Sequence, residues 1–461
     1  MSKLTFYGGT GTVTGANFLL DCGGCKILVD CGLVQGHKFA ENLNRTEFVY
    51  NPAEIDYLLV THAHIDHIGR IPKLVKDGFI GKIISTPETK ELAEFLLADT
   101  VGILDQEARR EGVLPLYEGK DLPPTFALWE TLPYHTNKVL KDGINMYLKD
   151  AGHILGSAMI EISRKSTDGN GQVKKMIFTG DLGNSPSILL RDTEEITDAD
   201  YILMESVYGD RNHAPKDQRT QKLRQVIVDV IKNKRTLIIP AFSLERTQMI
   251  IYEMNEIFEN EIKQQIPVFL DSPLAIKITG VYEKHTENFN EKAKADIRSG
   301  DDIFNFPGLR FIVQGGESKM IQRVNGPKII IAGSGMSVGG RVILHEKHFI
   351  SDPKAEILFV GYQSAGSLGR QIQDGAKKVN IYGEVKPVRA VIDSIPGYSS
   401  HKDSDHLLGF VEKAAEKGTL KKVFCVMGEP KSSMFLVQKI RDNLGIDAVS
   451  PEYKQEVEID L

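Results

Sequence analysis

The chain has 461 residues, of which 41% are hydrophobic and 26% charged, and its formal net charge is -6 at pH 7. This is the composition of a soluble globular protein with two or three compact units, and no run approaches the roughly 20 apolar residues that span a bilayer. The acidic balance argues against indiscriminate attraction to nucleic acid, although it is compatible with a local basic cleft. The start, MSKLTFYGG, lacks the apolar core of a signal peptide, so we expect a cytoplasmic protein without a membrane partner.

The N-terminal part of the chain has the pattern of a strand-rich unit. The runs LTFYG, NFLLD, KILVDCG and IDYLLVTHAH are short, apolar and separated by Gly, Asn or Asp. Cys22 and Cys25 flank Gly23-Gly24 between two such runs. This favours a tight hairpin over a zinc knuckle or a redox pair, since no second CxxC motif completes a four-ligand site. Strands return after the helical segment TKELAEFLLADTVGILDQEARRE, so we expect two sheets.

From about Tyr208 the pattern changes to helices that alternate with buried strands. The segment QKLRQVIVDVIKNK has apolar residues at i, i+3, i+4, i+7 and i+8, and the continuous apolar run TLIIPAFS follows it. Further helix and strand patterns alternate up to AEILFVGYQ, which predicts a parallel-sheet α/β unit. Mixed character returns near Lys386. We therefore predict a first unit, residues 1–207, interrupted by a second, residues 208–384, with residues 385–461 returning to the first.

The stretch VTHAHIDHIG, from Val60 to Gly69, concentrates potential metal ligands. His62 and His64 lie two residues apart at the end of an apolar strand, so their side chains leave the same face. Asp66 and His67 follow where the chain should turn into a helix. His153 in DAGHILGS and Asp181 in IFTGDLGN also end strands next to glycine. Imidazole and carboxylate are the ligands of catalytic zinc sites, so we predict a hydrolytic zinc centre.

These motifs resemble the metallo-β-lactamase superfamily, whose fold is an αββα sandwich of two sheets with one or two zinc ions in its loops. The later segments LMESVYGDR, IPAFSLERTQ, VFLDSPLA, KIIIAGSGM, ILFVGYQSAGSLGR and IPGYSSHKDSD are similar to the successive motifs of its β-CASP branch of nucleases. The resemblance covers nearly the whole chain. It implies a parallel-sheet α/β (β-CASP) domain inserted in the lactamase-like domain, and it agrees with the interrupted first unit.

The resemblance also implies roles for individual residues. His62, His64 and His153 correspond to ligands of a first zinc, Asp66 and His67 to ligands of a second, and Asp181 to the bridge between them. Glu205 in MESVYG and His401 in YSSHKD correspond to residues that lie beside the metals and serve the leaving group. Asp66, Glu205 and His401 are thus the expected catalytic residues.

The motif near the C-terminus departs from the family pattern. A histidine followed by Gly-Glu is usual there, but CVMGEP places Met427 at that position. A thioether is a poorer partner for Zn²⁺ than imidazole, so we expect the second zinc to bind more weakly. DNA-repair members carry valine at this position and RNA enzymes carry histidine, so an apolar residue keeps a DNA substrate open.

Two segments of the inserted unit are candidates for substrate binding. In IIIAGSGMSVGGR, between a strand and a helix, glycines let backbone amides face a phosphate, with Ser334 and Gly335 as the expected contacts. Arg246 lies in the first turn of a helix that Ser243 can cap. Its guanidinium either contacts the nucleic-acid backbone or pairs with a local carboxylate.

The resemblance implies a zinc-dependent ribonuclease in which a metal-bound hydroxide attacks RNA in the cleft between two domains. Single-stranded RNA is the expected substrate. Alternatives are a DNA nuclease of the same branch, a catalytically silent RNA-binding member, and a small-substrate hydrolase, for which the inserted unit has no evident use. Both endonuclease and 5′ exonuclease action fit the motifs, and homodimers occur among similar proteins.

Overall fold

The chain divides into two compact units. The computed structural model describes residues 2–36, 40–165, 171–213, 216–364 and 366–461. The first unit comprises Met1–Asn212 together with His401–Leu461, and the second comprises His213–Ser400. The second unit is therefore an insertion in the first.

Strands of the first unit come from both of its chain segments. Within the described ranges, these strands are β1 (Ser2–Phe6), β2 (Phe18–Asp21), β3 (Lys26–Val29), β4 (Tyr57–Leu59), β5 (Lys82–Ser85), β6 (Trp129–Thr131), β7 (Asn137–Val139), β8 (Asn145–Asp150), β9 (Ala158–Lys165), β10 (Val173–Phe178) and β11 (Tyr201–Glu205). The second unit has β12 (Thr236–Pro240), β13 (Val268–Leu270), β14 (Leu309–Phe311), β15 (Lys328–Ala332), β16 (Ala355–Phe359), β17 (Lys378–Ile381), β18 (Glu384–Pro387) and β19 (Val391–Ser394). The C-terminal segment adds β20 (Lys422–Val426), β21 (Asp447–Val449) and β22 (Glu456–Ile459) to the first unit.

Helices cover the sheets of both units. In the described part of the first unit they are α1 (Ala40–Arg45), α2 (Ile65–Ile68), α3 (Ile71–Lys76), α4 (Pro87–Glu111) and α5 (Leu122–Ala127). The second unit has α6 (Lys216–Lys232), α7 (Arg246–Asn260), α8 (Pro273–Lys284), α9 (Glu291–Arg298), α10 (Gly315–Ile321), α11 (Val342–Phe349) and α12 (Leu368–Gln373). Helices α13 (Ser404–Ala414) and α14 (Pro430–Leu444) belong to the first unit. Among the described helices, none is long and apolar enough to cross a membrane.

Two seven-stranded sheets form the first unit, as the strand-rich pattern predicted. The first has the order β22-β1-β2-β3-β4-β5-β6 and the second the order β21-β20-β11-β10-β9-β8-β7. Apolar side chains from both sheets, such as Phe6, Phe18, Phe178 and Phe424, share one buried cluster. A second cluster joins the other face of the second sheet to α13 and α14. Two sheets packed face to face give the predicted sandwich architecture.

The Gly23-Gly24 turn joins β2 to β3, as its sequence indicated. These strands pair antiparallel with Asp21 opposite Lys26, and the amide of Cys22 donates to the carbonyl of Cys25. Cys22 and Cys25 are free and buried, so the hairpin prediction is confirmed.

The second unit has a parallel sheet, which confirms the predicted α/β insertion. Its strand order is β14-β13-β15-β12-β16-β19, and each neighbouring pair is parallel. Strand β19 ends at Ser394 and pairs with β16. The second unit therefore extends to Ser400 instead of ending at residue 384.

Candidate metal centre

Strand β4 and helix α2 carry the first group of candidate ligands. The buried residues Thr61 and His62 follow shortly after β4. His64 then occupies the N-cap position of α2, with φ -60° and ψ 145°, and α2 itself carries Asp66 and His67. His62 and His64 thus precede α2, whereas Asp66 and His67 lie on it.

The remaining candidates come from loops that follow strands of the second sheet. His153 follows β8, and its amide donates to the hydroxyl of Ser157 at 3.0 Å. Asp181 follows β10 beside Gly180, which has φ 55°. A Cβ on Gly180 would lie 2.6 Å from Cβ of Thr61. Glycine at this position therefore lets the Asp181 loop approach the strand end that carries His62.

The histidines and Asp181 converge within hydrogen-bonding to ion-pair distances. Nδ1 of His64 lies 3.1 Å from Nε2 of His62 and 3.2 Å from Nε2 of His153. Oδ2 of Asp181 lies 3.4 Å from Nε2 of His62, 3.5 Å from Nε2 of His153 and 3.6 Å from Nε2 of His67. Ligand atoms of His62, His64, His153 and Asp181 all lie within 4.8 Å of one another.

The chemistry of these side chains fits a divalent metal of the zinc type. Burial lowers the pKa of His62 and lowers the pKa values of His64 and His153 well below the ordinary value, so these imidazoles are neutral and can donate a lone pair. Two further atoms, Nε2 of His67 and Oδ1 of Asp181, are buried without a hydrogen-bond partner. Such orphaned atoms are costly unless an ion satisfies them.

The second group of candidate ligands is more strongly charged than the first. Burial lowers the pKa of His67, but the carboxylates of Asp181 and Asp30 outweigh burial and raise it well above the ordinary value. Burial alone would raise the pKa of Asp181, but His67 and His401 hold it well below the ordinary value. Oδ2 of Asp66 lies 3.9 Å from Nε2 of His67. A second cluster, of two carboxylates and one imidazole, therefore lies beside the first group and consists of Asp66, His67 and Asp181.

Asp30 is a residue of the site that the sequence analysis missed. It follows β3, is 1% exposed, and accepts hydrogen bonds at 2.8 Å from both the amide and the hydroxyl of Thr61. Its Oδ2 also lies 2.8 Å from Nδ1 of His67. A carboxylate behind a ligand histidine fixes the ring and directs its other nitrogen towards a metal. VDCG ends a strand near a glycine, as the other candidate segments do, but the sequence does not show that Asp30 meets His67.

Glu205 and His401 form a pair beside Asp181. Nδ1 of His401 lies 3.1 and 3.2 Å from the two carboxylate oxygens of Glu205, and 3.9 Å from Oδ2 of Asp181. The amide of Leu182 donates to Glu205 at 2.6 Å. Burial lowers the pKa of His401, but Glu205 and Asp181 outweigh it and raise the pKa to about 9. The structure thus brings together the two residues predicted to serve a leaving group.

Met427 lies in the hydrophobic core behind this centre. It follows β20, is 2% exposed, and packs in the cluster between the two sheets. Its sulfur lies so close to Gly9 that a Cβ on that glycine would be 2.5 Å away. Met427 also lines a small cavity whose other walls include His67 and Glu205.

The predicted phosphate loop of the second unit, residues 333–341, follows β15. The hydroxyl of Ser334 accepts hydrogen bonds from the amides of Val338 and Gly339, at 3.1 and 3.2 Å, so it shapes the loop. A Cβ on Gly335 would lie 2.7 Å from the ring of Phe242. Glycine at 335 therefore permits a close approach of backbone and aromatic ring.

Arg246 and its helix differ from the prediction in one respect. Helix α7 begins at Arg246 with Glu245 at the N-cap position and φ 64° there, so the predicted cap by Ser243 is wrong. The hydroxyl of Ser243 instead lies 3.3 Å from that of Ser272. Nη1 of Arg246 donates to the carbonyl of Val360 at 2.5 Å, which links the start of α7 to the loop after β16.

Three family models match successive parts of the chain. The model of the metallo-beta-lactamase superfamily matches residues 11–137, and the Beta-Casp domain matches residues 247–372. The Zn-dependent metallo-hydrolase RNA specificity domain matches residues 385–451. The order of these matches agrees with the inserted second unit.

Curated relatives align over most of their length. Ribonuclease TTHA0252 of Thermus thermophilus is 33% identical over 411 residues, which are 89% of this chain and 90% of the relative. Transcription termination factor FttA of Pyrococcus horikoshii is 30% identical over 466 residues, or 97% of this chain and 70% of the relative. A crystal structure of a protein of unknown function from Enterococcus faecalis has a TM-score of 0.56 and 13% identity over 99% of each chain, a likeness of fold alone.

Proposed function

Because this chain belongs to the β-CASP branch of the metallo-β-lactamase superfamily, a branch of metal-dependent nucleases, we propose that it is a zinc-dependent ribonuclease that hydrolyses phosphodiester bonds of single-stranded RNA. The observation that carries the proposal is the convergence of His62, His64 and His153 with Asp181. The match to a ribonuclease over 90% of that relative favours RNA over DNA, as does the match to an RNA specificity domain.

Six side chains would hold the metal. We assign His62, His64 and His153 to a first zinc, Asp66 and His67 to a second, and Asp181 to both. Zinc bound there would supply positive charge that polarises a phosphoryl oxygen and acidifies water. Asp30 fixes the His67 ring through Nδ1, which leaves Nε2 directed at the carboxylate of Asp181.

Glu205 and His401 would handle the proton of the departing oxygen. Both oxygens of Glu205 face Nδ1 of His401, which orients the ring and stabilises its protonated form. Nε2, at the opposite side of the ring, is then the atom that gives its proton to the leaving group. Glu205 keeps its own place because it is buried at the end of β11 and accepts the amide of Leu182.

The second zinc should be the weaker of the two. The position where the family carries a histidine is occupied by Met427, whose sulfur packs against Gly9 in the core. A thioether is soft and uncharged, so it adds little to a site of imidazole and carboxylate ligands.

Residues 333–341 of the second unit are the proposed contact to substrate phosphates. The hydrogen bonds that Ser334 accepts from two backbone amides give the loop a defined shape. Gly335 has no side chain to cover the backbone at this end of the sheet. Arg246 adds a positive charge at the same end. A homodimer and a cytoplasmic location stay predictions of the sequence.

The test is cleavage of end-labelled single-stranded RNA and of DNA with the same sequence by zinc-loaded protein. Asp181→Ala should abolish cleavage, because it removes the carboxylate that faces His62, His153 and His67. Asp105→Ala is the matched control, since Asp105 is a half-exposed carboxylate of α4 that pairs with Arg109. The activity of this variant should equal that of the wild type.

Each alternative function predicts a different result. Preferential cleavage of DNA would identify a DNA nuclease, and binding of RNA without cleavage at full zinc loading would identify a silent RNA-binding protein. Mapping the products separates internal cleavage from removal of nucleotides at the 5′ end.

A further inference from the structure

Two aromatic side chains are exposed at neighbouring strand ends of the second unit. Phe242 is 39% exposed and lies two residues after β12, and Tyr362 is 55% exposed and lies three residues after β16. Strands β12 and β16 are adjacent and parallel. Both aromatic residues therefore follow strands that end on the same side of the sheet, at its carboxyl ends. Singly exposed aromatic residues are ordinary, and the position of this pair is what distinguishes it.

The carboxyl ends of β12 and β16 form a topological switch point. In the order β14-β13-β15-β12-β16-β19, the chain leaves β12 towards β13 on one side and leaves β16 towards β19 on the other. Connections that depart in opposite directions open a crevice between the two strands, and ligands of open α/β sheets bind in such crevices. Phe242 and Tyr362 therefore stand at the place where this topology favours a ligand.

Two glycines lie beside the ring of Phe242, which stays 39% exposed. A Cβ on Gly335 would lie 2.7 Å from the ring, and one on Gly361 would lie 4.0 Å from it and 2.7 Å from Nη1 of Arg246. The side-chain amide of Gln363 donates to the carbonyls of Gly335 and Gly361, at 2.9 and 3.2 Å. Gln363 thus joins the loop after β16 to the loop after β15 beside Phe242.

We propose that this crevice binds an unpaired nucleobase of single-stranded RNA, which stacks on Phe242 and Tyr362 while the adjoining loop, residues 333–341, contacts the phosphate. The proposal rests on the ribonuclease function and names the part of the substrate that the second unit recognises. Aromatic faces bind bases of any sequence, but only where the base is free of a partner strand. The crevice therefore selects unpaired RNA with little preference for sequence.

Binding of a fluorescent single-stranded RNA of about 12 nucleotides to the full chain carrying Asp181→Ala, which prevents cleavage, tests this proposal. Phe242→Leu and Tyr362→Leu should each raise the Kd about tenfold, and Tyr362→Phe should restore wild-type affinity. Phe311→Leu is the matched control, because Phe311 is 41% exposed at the end of β14, at the far edge of the same sheet; its Kd should not change.

A second measurement does not depend on the variants. RNA that contains 5-iodouridine should crosslink to Phe242 or Tyr362 on irradiation, and the same sequence annealed to its complement should not. Equal Kd values for all variants, crosslinks confined to other residues, or a dependence on Phe242 and Tyr362 for DNA alone would overturn the proposal. Failure of the ribonuclease function is a separate result: the zinc-loaded wild type would leave RNA intact although its binding depended on both aromatic residues.

Discussion

Asp30 holds His67 in one orientation, and this has a measurable consequence for metal affinity. Asp30→Asn keeps the size of the side chain, and asparagine tolerates the positive φ of 59° at this position. The amide has one oxygen where the carboxylate has two, so the contacts of the second oxygen to Nδ1 of His67 and to the Thr61 hydroxyl are weakened. We expect zinc affinity, measured by competition with a chelator, to fall about 10–100-fold.

Asp56→Asn provides the control for Asp30. Asp56 also accepts a backbone amide in the first unit, from Lys26 at 2.9 Å, but it takes no part in the candidate centre. Its replacement should leave zinc affinity unchanged. Equal affinities for the two variants would show that Asp30 does not position His67.

We propose that Met427 limits the number of zinc ions that the chain retains. The backbone at this position has φ 49°, a conformation that histidine adopts more readily than most residues. We expect Met427→His to bring the content close to two zinc ions per chain, and the wild type to hold fewer after gel filtration. Elemental analysis counts them.

Met427→Leu separates the ligand effect from packing. Leucine fills a similar volume without a donor atom, so its zinc content should match that of the wild type. Full and equal occupancy of both sites in wild type and Met427→His would remove the proposed weakness of the second site.

At the scale of elements, helix α2 is held against the loop that follows β3. The amides of Cys31 and Leu33 donate to the carbonyls of His67 and Ile65, at 2.7 and 3.0 Å. Between them lies Gly32, where a Cβ would be 1.5 Å from the carbonyl oxygen of Asp66. Any side chain at 32 must therefore displace the helix that carries two proposed ligands.

Gly32→Ala should lower the free energy of unfolding by about 1–3 kcal/mol and weaken zinc binding in the same protein. Gly102→Ala in α4 is the control, since a Cβ there meets nothing within 4 Å; alanine in a helix should raise stability by up to about 1 kcal/mol. Urea denaturation of the two variants measures the expected fall in the free energy of unfolding for Gly32→Ala and the expected rise for Gly102→Ala. A stable Gly32→Ala protein with normal zinc affinity would show that α2 accommodates the shift.

The sequence predicted these elements best where a local rule determines them. The glycine pair fixes the β2–β3 hairpin, and the apolar period fixes α6, so both were predictable. The start of α7 was not, because Glu245 adopts a positive φ that no residue preference indicates. Asp30 was missed for another reason: its partner His67 is 37 residues away, and only the fold brings a strand end and a helix together.

For the whole molecule, the sequence predicted the order of the units correctly but not the residue at which the insertion ends. Residues 385–394 have the mixed pattern of the C-terminal segment, yet β19 completes the parallel sheet of the second unit. Strand pairing at a sheet edge depends on the neighbour that the fold supplies, which a linear pattern does not contain. The same limit applies to the proposed crevice, since Phe242 and Tyr362 are 120 positions apart in the sequence.

The contribution of two buried carboxyl groups of the second unit to the free energy of unfolding should fall as the pH rises from 4.5 to about 7. Burial raises the pKa values of Glu245 and Glu346, in the second unit, from 4.5 to about 7. Glu245 accepts the hydroxyl of Tyr282, and Glu346 accepts that of Ser337. Between pH 4.5 and about 7 the unfolded chain has released these protons while the folded chain keeps them, so each rise in pH favours unfolding.

The loss of unfolding free energy is complete above pH 7 and amounts to at most about 3 kcal/mol per carboxyl group. Glu245→Gln combined with Glu346→Gln removes both titratable groups. Each glutamine keeps an oxygen that accepts the hydrogen bond from the neighbouring hydroxyl. Urea denaturation at pH 5 and pH 8 should therefore give a smaller difference for this variant than for the wild type. Glu291→Gln, whose side chain is 81% exposed, should behave as the wild type does. If all three proteins lost equal stability between the two pH values, the buried carboxyl groups of the second unit would not be the cause.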